Sequence, residues 1–334
     1  MSEDAPQRPL SELNLFDGYL QPRARQFARA GQPLWIINDC FDGEITGALK
    51  CTRWASKQAG GTVRTLNLAG DEQTMQALEA ELAANQSISV NLLGCMEQAS
   101  ERLLETIGSS PALVMLDPLQ GAGTRVETLA RLNTRRMAKT ELLLTLTAAS
   151  LRRLISDGAP EHIDRVVGSS LWRRLSRQED DLSNLTRISV LYRACLQRGG
   201  YTYARKIVLR EPGDRPGRSQ LVFVTHSRTA LSLMSDLACA YLSGDQDTLA
   251  PSELAERVCR LGAQLQSANS GQIIGGLACE LFGRFTSGQC RQVIADLARR
   301  GTIHVPDPDC ISDGQTLMFG ATSQMALFDT DPPS

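Results

Sequence analysis

Short apolar segments alternate with amphipathic segments over the first 150 residues of the chain. The apolar segments have the length and composition of buried β-strands. They are LWIIND at 34–39, TVRTLNL at 62–68, SISVNLL at 87–93, ALVML at 112–116 and TELLLTLT at 140–147. The segments with helical spacing of apolar residues lie between them, at 47–58, 71–84, 96–107 and 124–136. Repeats of this kind predict parallel strands joined by right-handed crossovers, and therefore a doubly wound α/β sheet.

A second pattern begins after residue 180. The segment 181–200 predicts a long helix that ends on Gly-Gly, and two further strands follow at 201–210 and 219–225. A Pro/Gly turn separates these strands, so they predict an antiparallel hairpin. Five parallel strands followed by such a hairpin are the topology of class I methyltransferases, whereas flavodoxin-like and NAD-binding folds end differently. We therefore expect a methyltransferase-like Rossmann domain over residues 1–245.

A smaller domain is predicted over residues 252–320, where three helical segments precede two short strands, TIHVP and TLMFG. The helical segments lie at 252–266, 271–282 and 286–301. Three helices and a two-stranded wing are typical of a winged-helix domain. Its third helix would be the recognition helix, and it carries Arg291, Arg299 and Arg300. We predict that these arginines contact nucleic acid, although winged helices also bind proteins.

Composition favours a soluble globular protein. Hydrophobic residues make up 42% of the 334 residues, which is enough for a sizeable core, and no apolar run approaches the length of a membrane-spanning helix. The N-terminal segment lacks the basic and apolar regions of a secretory signal, so we expect a cytoplasmic protein. The nine cysteines form no CxxC pair and only three histidines occur, so no metal site is predicted.

Basic residues concentrate between residues 152 and 210, where 12 basic and 6 acidic side chains occur. The stretch begins just after the fifth strand, near the edge of the sheet where open α/β folds bind ligands. Arginine side chains suit phosphate groups, and a tryptophan can stack on a base. The candidate nucleic-acid-binding residues here are Arg152, Arg153, Trp172, Arg173 and Arg174. A solvated face or a protein contact is the alternative interpretation.

Five sequence segments, in one order, resemble the three-Cys-motif partner proteins, a bacterial family with a methyltransferase-like fold. The segments are IINDCFDGEITGAL, LVMLDPLQG, TELLLTLTAASLRRL, YRACLQRGGYTYARKIVLR and LVFVTHSRTALSLMSDL. The resemblance covers about residues 14–240, and His226 matches the family histidine. It implies a partner, a three-Cys-motif protein that resembles radical-SAM enzymes, and a setting in phage defence or on mobile elements. A structural and a catalytic role are both open for His226.

Binding of S-adenosylmethionine, the cofactor that this fold implies, requires a glycine-rich turn after the first strand. Asp39 and Gly43 match the family pattern there. Ile45 stands where a second glycine is expected, and its branched side chain disfavours close approach of a ligand to the backbone. Asp42 and Glu44 add carboxylates that would crowd the carboxylate end of the cofactor.

The positions after strands 2, 3 and 4 also depart from the pattern. Ala69 occupies the expected acid position, so Asp71 is either a shifted substitute or a helix cap. Cys95 stands where an adenine-binding Asp would fall. Asp117 and Pro118 begin a motif that holds a target amino group, but no aromatic residue follows, and the pair also suits a turn. These departures predict a degraded pocket and favour the absence of a bound cofactor.

The acidic C-terminal tail, residues 321–334, contains the pentapeptide QMALF. This segment resembles the bacterial sliding-clamp-binding motif. Gln324 would set the orientation, and Leu327 and Phe328 would anchor in an apolar pocket of the clamp. Packing of the two apolar side chains on the protein itself is the alternative.

These observations predict an accessory protein with a methyltransferase fold, which acts through partner and nucleic-acid binding in a bacterial nucleic-acid-processing or phage-defence complex. An active S-adenosylmethionine-dependent methyltransferase of a DNA or RNA base is the alternative, in which Asp117 would hold the target amino group. A winged-helix transcription regulator is the weakest of the three hypotheses.

Overall fold

The structure, a computed structural model, divides into two compact units, residues 1–226 and residues 227–334. It describes residues 15–40, 45–58, 62–120, 123–134, 140–158, 160–174, 181–210, 216–242 and 248–319. The sequence pattern predicts a division at residues 245–252, so the predicted and observed divisions assign the helix over 228–242 to different units. Within the described ranges, no helix has the length and apolar character needed to cross a membrane.

Seven strands form the sheet of unit 1. They are β1 (Leu34–Cys40), β2 (Val63–Ala69), β3 (Ser89–Leu93), β4 (Ala112–Leu116), β5 (Thr140–Thr147), β6 (Tyr203–Arg210) and β7 (Pro216–Thr225). Their order across the sheet is β3-β2-β1-β4-β5-β7-β6. Strands β1 to β5 run parallel, and β7 runs antiparallel to both β5 and β6. This confirms the predicted α/β fold of five parallel strands and an antiparallel hairpin, which is a methyltransferase-like arrangement.

Helices connect the strands of unit 1. They are α1 (Gln21–Arg29), α2 (Thr46–Ser56), α3 (Glu72–Leu82), α4 (Met96–Ile107), α5 (Val126–Arg131), α6 (Ala148–Asp157), α7 (Pro160–Val167) and α8 (Asp181–Arg198). A π-helical turn precedes α1, and three short 3₁₀ turns follow α3, α5 and α7. Successive residues of β1, β4 and β5 are buried, which requires cover on both faces of the sheet. That cover explains why these strands are continuous apolar runs in the sequence.

A ladder of asparagines crosses three strands of the sheet. Asn38 Nδ2 donates a hydrogen bond to Asn67 Oδ1 at 3.0 Å, and Asn67 Nδ2 donates to Asn91 Oδ1 at 2.9 Å. The three residues are direct partners in the registers of β1 with β2 and of β2 with β3. Because an unpaired buried amide is costly, the ladder favours this register and so sets the relative positions of the strand ends.

A buried ion pair attaches α1 to the sheet. The guanidinium of Arg23 contacts the carboxylate of Glu141 at the start of β5, and the hydroxyl of Tyr19 donates to the same carboxylate. Thr225 Oγ1, at the end of β7, donates to it as well at 3.4 Å. Because β7 is antiparallel, this cluster lies at the amino edge of the parallel strands, opposite their carboxyl ends.

Unit 2 contains four helices and two short strands among its described residues. They are α9 (Arg228–Leu242), α10 (Pro251–Leu265), β8 (Ser267–Asn269), α11 (Ser270–Glu280), α12 (Ser287–Arg299) and β9 (Thr316–Met318). Strand β8 pairs antiparallel with β9, and the predicted strand TIHVP is reduced to a single bridge between His304 and Met318. Thr286 is the N-cap of α12, because its Oγ1 accepts a hydrogen bond from the backbone N–H of Gln289 at 3.1 Å.

Candidate ligand site at the carboxyl edge of the sheet

Parallel strands bring their carboxyl ends to one edge of a sheet, which is where open α/β folds bind ligands. Asp39 is the second-last residue of β1, and Asp117 directly follows its neighbour β4. Asp71 follows β2 and Cys95 follows β3. The structure therefore brings these four predicted pocket residues to the same edge.

Asp39 has an unusual environment for a carboxylate. Its Oδ1 atom is buried and has no hydrogen-bond partner among the described residues. Burial raises the pKa of Asp39 to about 6, and the negative charge of Asp117 contributes to the rise. Asp39 therefore offers a buried acceptor for a donor group of a ligand, or a site that holds a proton at mildly acidic pH.

Asp117 is held by its own chain. Its Oδ1 accepts a hydrogen bond from the backbone N–H of Leu119 at 2.9 Å, which is an Asx turn at the Asp-Pro position. Its Oδ2 accepts from Ser150 Oγ at 2.8 Å and from Thr147 Oγ1 at 3.4 Å. Burial raises the pKa of Asp117 to about 6, although the bond from Ser150 acts in the opposite direction. The turn interpretation is confirmed, and the catalytic role of Asp117 and Pro118 stays a prediction.

Three residues around Asp117 were not identified from the sequence. Thr147 is the N-cap of α6, and its Oγ1 accepts a hydrogen bond from the backbone N–H of Ser150 at 3.1 Å. The Thr-x-x-Ser spacing at the end of β5 is the sequence signal that could have identified Thr147 and Ser150 as a helix cap beside the site. Tyr192 of α8 is fully buried, and burial together with the charge of Asp117 raises its pKa well above the usual value. No sequence pattern identifies Tyr192 as a neighbour of the site, because a buried tyrosine in a helix is an ordinary core residue.

Asp71 and Cys95 both serve as helix caps. Asp71 Oδ1 accepts a hydrogen bond from the backbone N–H of Thr74 at 2.7 Å, and this bond lowers the pKa of the exposed carboxyl group. The cap interpretation of Asp71 is thus confirmed. Cys95 is the N-cap of α4, and its backbone N–H donates to Gln98 Oε1 at 3.1 Å.

The described residues fit S-adenosylmethionine poorly. The ribose hydroxyls would need a free acid after β2, but Asp71 is engaged as a cap. The adenine amine would need an acceptor after β3, where Cys95 offers only a weakly accepting thiol. Of the predicted pocket residues that the structure describes, Asp39 is the one with a buried acceptor that has no hydrogen-bond partner among the described residues. The remaining predicted residues of the pocket and of the tail lie outside the described residues: Asp42, Gly43, Gln324, Leu327 and Phe328.

The predicted basic surface of unit 1 is partly neutralised. Arg173 pairs with Asp164, with Nε to Oδ1 at 3.1 Å and NH2 to Oδ2 at 2.6 Å. Arg152, Arg153 and Arg174 are exposed. Arg153 is close enough to Asp117 to lower the pKa of that carboxyl group, which places this arginine near the candidate ligand site.

Trp172 requires a correction. Its side chain is 8% exposed, belongs to the main hydrophobic core, and donates from Nε1 to Asp164 Oδ1 at 2.7 Å. The ring is therefore a core side chain whose faces are not available to stack on a base. The prediction of an exposed, base-stacking ring fails because the indole has a large apolar surface. Burying that surface in the core stabilises the fold, whereas an exposed ring would leave it in water.

Arginines on the predicted recognition helix are also paired. Arg291 contacts Asp313 at 2.6 Å. Arg299 contacts Asp296 at 2.8 Å and Asp309 at 2.9 Å. Arg300 is exposed at the end of α12. Carboxylates of the segment after α12 therefore reduce the positive charge that this helix would present to DNA.

His226 lies at the amino edge of the parallel strands, away from Asp39 and Asp117. Its Nδ1 contacts Thr202 Oγ1 at 3.0 Å, and its Nε2 contacts Asn133 Oδ1. The ring stacks on Tyr201 with centroids 5.1 Å apart. Burial lowers the pKa of His226. These contacts support the structural interpretation of this residue and separate it from the candidate site.

Among the described residues, no group of three or more His, Cys, Asp or Glu side chains could hold a metal ion.

No family model matches the sequence, and no curated protein matches it. Solved structures with low similarity include a protein assigned as an O-methyltransferase from Klebsiella pneumoniae, at 12% identity and a TM-score of 0.37 over 68% of this chain and 84% of that one. TomG, an O-methyltransferase from Streptomyces achromogenes in complex with SAM, has 9% identity and a TM-score of 0.33 over 62% and 80% of the two chains. Spermidine synthase from Thermotoga maritima has 8% identity and a TM-score of 0.33 over 59% and 54%.

Proposed function

We propose that the protein is a methyltransferase-fold accessory protein, which acts by binding a partner protein and nucleic acid and not by methyl transfer. One observation supports this: the polar groups after β2, β3 and β4 are bonded within their own chain. Asp71 caps α3, Cys95 caps α4, and Asp117 accepts hydrogen bonds on both carboxylate oxygens. A working pocket directs such groups at its ligand, so their internal use favours a pocket that has lost its cofactor.

The sequence resemblance supplies the candidate partner, a three-Cys-motif protein that resembles radical-SAM enzymes. The proposed setting is a cytoplasmic nucleic-acid-processing or phage-defence complex in a bacterium. Co-expression of the two proteins tests this pairing. We expect a complex of defined stoichiometry in size-exclusion chromatography, and two separate peaks at micromolar concentration would contradict the pairing.

Titration calorimetry with S-adenosylmethionine tests the loss of the cofactor. The full chain should show no binding heat at millimolar cofactor, either alone or with the partner. Binding at micromolar strength would overturn the proposal. Thermal unfolding with and without the cofactor is an independent check. A ligand at 100 times its dissociation constant stabilises the fold by about 2.7 kcal/mol and therefore raises the unfolding temperature, whereas a cofactor that does not bind leaves it unchanged.

An active methyltransferase of a DNA or RNA base is the second candidate, and Asp39 favours it. The buried Oδ1 of Asp39 has no partner among the described residues, as expected of an atom that accepts a hydrogen bond from a ligand. This candidate predicts that label passes from the cofactor to nucleic acid, and that Asp117→Ala abolishes the transfer while unit 1 stays folded. Absence of label on DNA and RNA with the partner present would refute it.

Unit 2 is proposed to be a winged-helix-like module. The order α10, β8, α11, α12, β9 supports this assignment, as does the pairing of both β8 and His304 with β9. The ion pairs of Arg291 and Arg299 weigh against a transcription regulator that reads DNA with α12. Footprinting of the full chain tests this: a sequence-specific, salt-sensitive footprint lost in R291Q/R299Q would favour the regulator.

The tail motif suggests the sliding clamp as a further partner. Capture of the purified clamp by the full chain should be lost in Leu327→Ala/Phe328→Ala. The control variant Thr330→Ala should retain it. Equal capture by both variants would refute the motif.

A further inference from the structure

A cavity of about 510 Å³ lies within unit 2. Its lining comes from one face of α9, from the amino-terminal parts of α11 and α12, and from the segment that precedes β9. Pockets that bind small molecules have volumes of about 300–1,000 Å³, so this cavity is large enough for such a ligand. The charged residues of the lining are Arg228, Asp236, Arg291 and Asp313. None of the lining residues belongs to the candidate ligand site of unit 1.

Asp236 is the carboxylate that joins α9 to α12. Its Oδ1 accepts a hydrogen bond from the backbone N–H of Ser287 at 2.7 Å and another from Ser287 Oγ at 3.0 Å. Its Oδ2 has no hydrogen-bond donor among the described residues. The side chain is half-buried, and burial raises the pKa of its carboxyl group. The fold therefore engages one oxygen of Asp236 and leaves the other for a donor that enters the cavity.

Negative charge is in excess at the Asp236 end of the cavity. Arg291 lies one helical turn after Ser287 on α12, and its NH2 contacts Asp313 Oδ1 at 2.6 Å. Among the lining residues, the two carboxylates at this end therefore have one guanidinium between them. Arg228 also lines the cavity, but it lies eight residues before Asp236 on α9, which is a rise of about 12 Å. A cation beside Asp236 would balance the excess.

The helix ends at the cavity are poorly suited to an anion. The first three backbone N–H groups of α11 donate hydrogen bonds within their own chain, at distances between 2.7 and 3.1 Å. The first backbone N–H of α12 donates to Asp236. Because these groups are already bonded, an anion would have to displace an existing bond to reach them. The lining thus favours a cationic ligand over an anionic one.

We propose that this cavity binds an alkylammonium group, whose nitrogen donates to Asp236 Oδ2 and whose methylene chain lies along Leu233 and Ile274. Leu233 is three residues before Asp236 on α9, so the two side chains share one face of the helix. Ile274 supplies apolar lining from α11. The competing role of Asp236 is to hold the start of α12 against α9 without any ligand, and this role predicts no saturable binding.

Solution NMR of the full-length protein with isotope-labelled isoleucine methyl groups tests the proposal, because Ile274 lines the cavity. The variant Ile274→Val identifies its resonance. Hexylamine, hexanol and hexanoate carry the same chain on different head groups. Hexylamine at millimolar concentration should shift the Ile274 resonance saturably, and the other two compounds should not. Equal binding of hexanol would show that apolar burial alone is responsible, and stronger binding of hexanoate would show an anion site; either result overturns the proposal.

The variant Asp236→Asn keeps an oxygen that accepts from Ser287 and removes the charge. It should weaken hexylamine binding by about tenfold or more, because a hydrogen bond to a charged group is lost. The control Glu256→Gln removes an exposed carboxylate that pairs with Arg260 outside the cavity, and it should bind like wild type. Unchanged binding in Asp236→Asn, or an equal loss in both variants, refutes the site. If Asp236→Asn does not fold, Leu233→Ala carries the test with an expected loss of about fourfold, the effect of burying one methylene group less.

Two sources can supply an alkylammonium group, a free amine and a lysine side chain of a bound protein. Nα-acetyl-lysine amide presents the group as a protein does. Tighter binding of this compound than of hexylamine assigns the cavity to a lysine side chain, and weaker binding assigns it to a free amine. Absence of a saturable Ile274 shift with both compounds overturns the proposal. That result leaves the proposed function unaffected, because the proposed function does not depend on this cavity.

Discussion

Replacing Arg23 with methionine would leave the carboxylate of Glu141 buried without its cation. The side chains of the pair are 1% and 3% exposed, so little water can reach the remaining charge. The Tyr19 hydroxyl and Thr225 Oγ1 would still donate to it, but neither carries a positive charge. Removing one partner of a buried pair typically costs about 3–5 kcal/mol. We expect Arg23→Met to lower the free energy of unfolding of unit 1 by about that amount.

Tryptophan fluorescence is the appropriate assay, because Trp35, Trp54 and Trp172 are the only tryptophans of the chain and all lie in unit 1. With a denaturant slope of about 2 kcal/mol per molar urea, a loss of 4 kcal/mol lowers the midpoint by about 2 M. The control is Arg53→Met. Its ion pair with Glu81 has a distance of 3.9 Å and side chains that are 66% and 54% exposed, so its loss should cost less than about 1 kcal/mol.

The double variant R23M/E141Q tests whether the unpaired carboxylate of Glu141 causes the loss of stability. It has no buried charge, so it should recover most of the stability that Arg23→Met loses. A single variant as stable as the Arg53→Met control would show that the pair does not hold α1 to the sheet. A double variant no better than Arg23→Met would show that lost packing of the arginine stem, and not the unpaired carboxylate, is the cause.

Three further predictions concern single side chains. The raised pKa of Asp39, about 6, means that the folded protein retains a proton that the unfolded chain has released, so stability should fall as pH rises from about 4 through 6. In urea titrations Asp39→Asn should match wild type at pH 4 and exceed it by up to about 2–3 kcal/mol at pH 8, and equal stability at both pH values would contradict the shift. Thr286→Ala removes the cap of α12 at a cost of about 1 kcal/mol, so amide exchange in its first turn should be about fivefold faster, while Thr286→Ser should exchange like wild type. Gly31 and Gly168 have φ angles of 68° and 73°, but a Cβ at Gly168 would lie 2.4 Å from Val126 Cγ1 and one at Gly31 meets nothing within 4 Å. Gly31→Ala should therefore cost about 1–2 kcal/mol and Gly168→Ala clearly more by urea denaturation, and equal costs would contradict the steric argument.

The sequence predicted the sheet of unit 1 because buried parallel strands leave a local pattern. Each of β1, β4 and β5 is an apolar run, and the Pro/Gly turn before β7 marked the change to antiparallel pairing. The caps of α3 and α12 were predictable for the same reason, since Asp71 and Thr286 act on backbone groups three residues away. Local chemistry is visible in a single sequence when donor and acceptor are close along the chain.

Pairing of charges was not predictable from the sequence. The basic stretch between residues 152 and 210 contains both Arg173, which pairs with Asp164, and Arg193, which donates from Nε to the backbone carbonyl of Ala204. A count of charges treats them alike, because it contains no information on which side chains meet in space. The same is true of Arg291 and Asp313, whose contact spans 22 residues of sequence. Which carboxylate an arginine pairs with is a property of the fold.

Asp39 is the polar group at the carboxyl edge whose environment the fold alone does not explain. Asp71 and Asp117 lie at that edge and are satisfied by their own chain, whereas the buried Oδ1 of Asp39 has no partner among the described residues. An unsatisfied buried acceptor destabilises a protein, and a ligand that donates a hydrogen bond removes the penalty. The two candidate functions therefore make different predictions for the Oδ1 atom of Asp39. If the edge is a remnant, Asp39→Asn should gain stability at neutral pH and leave binding of partner and nucleic acid unchanged; if it is a working pocket, the same variant should gain stability and lose the ligand.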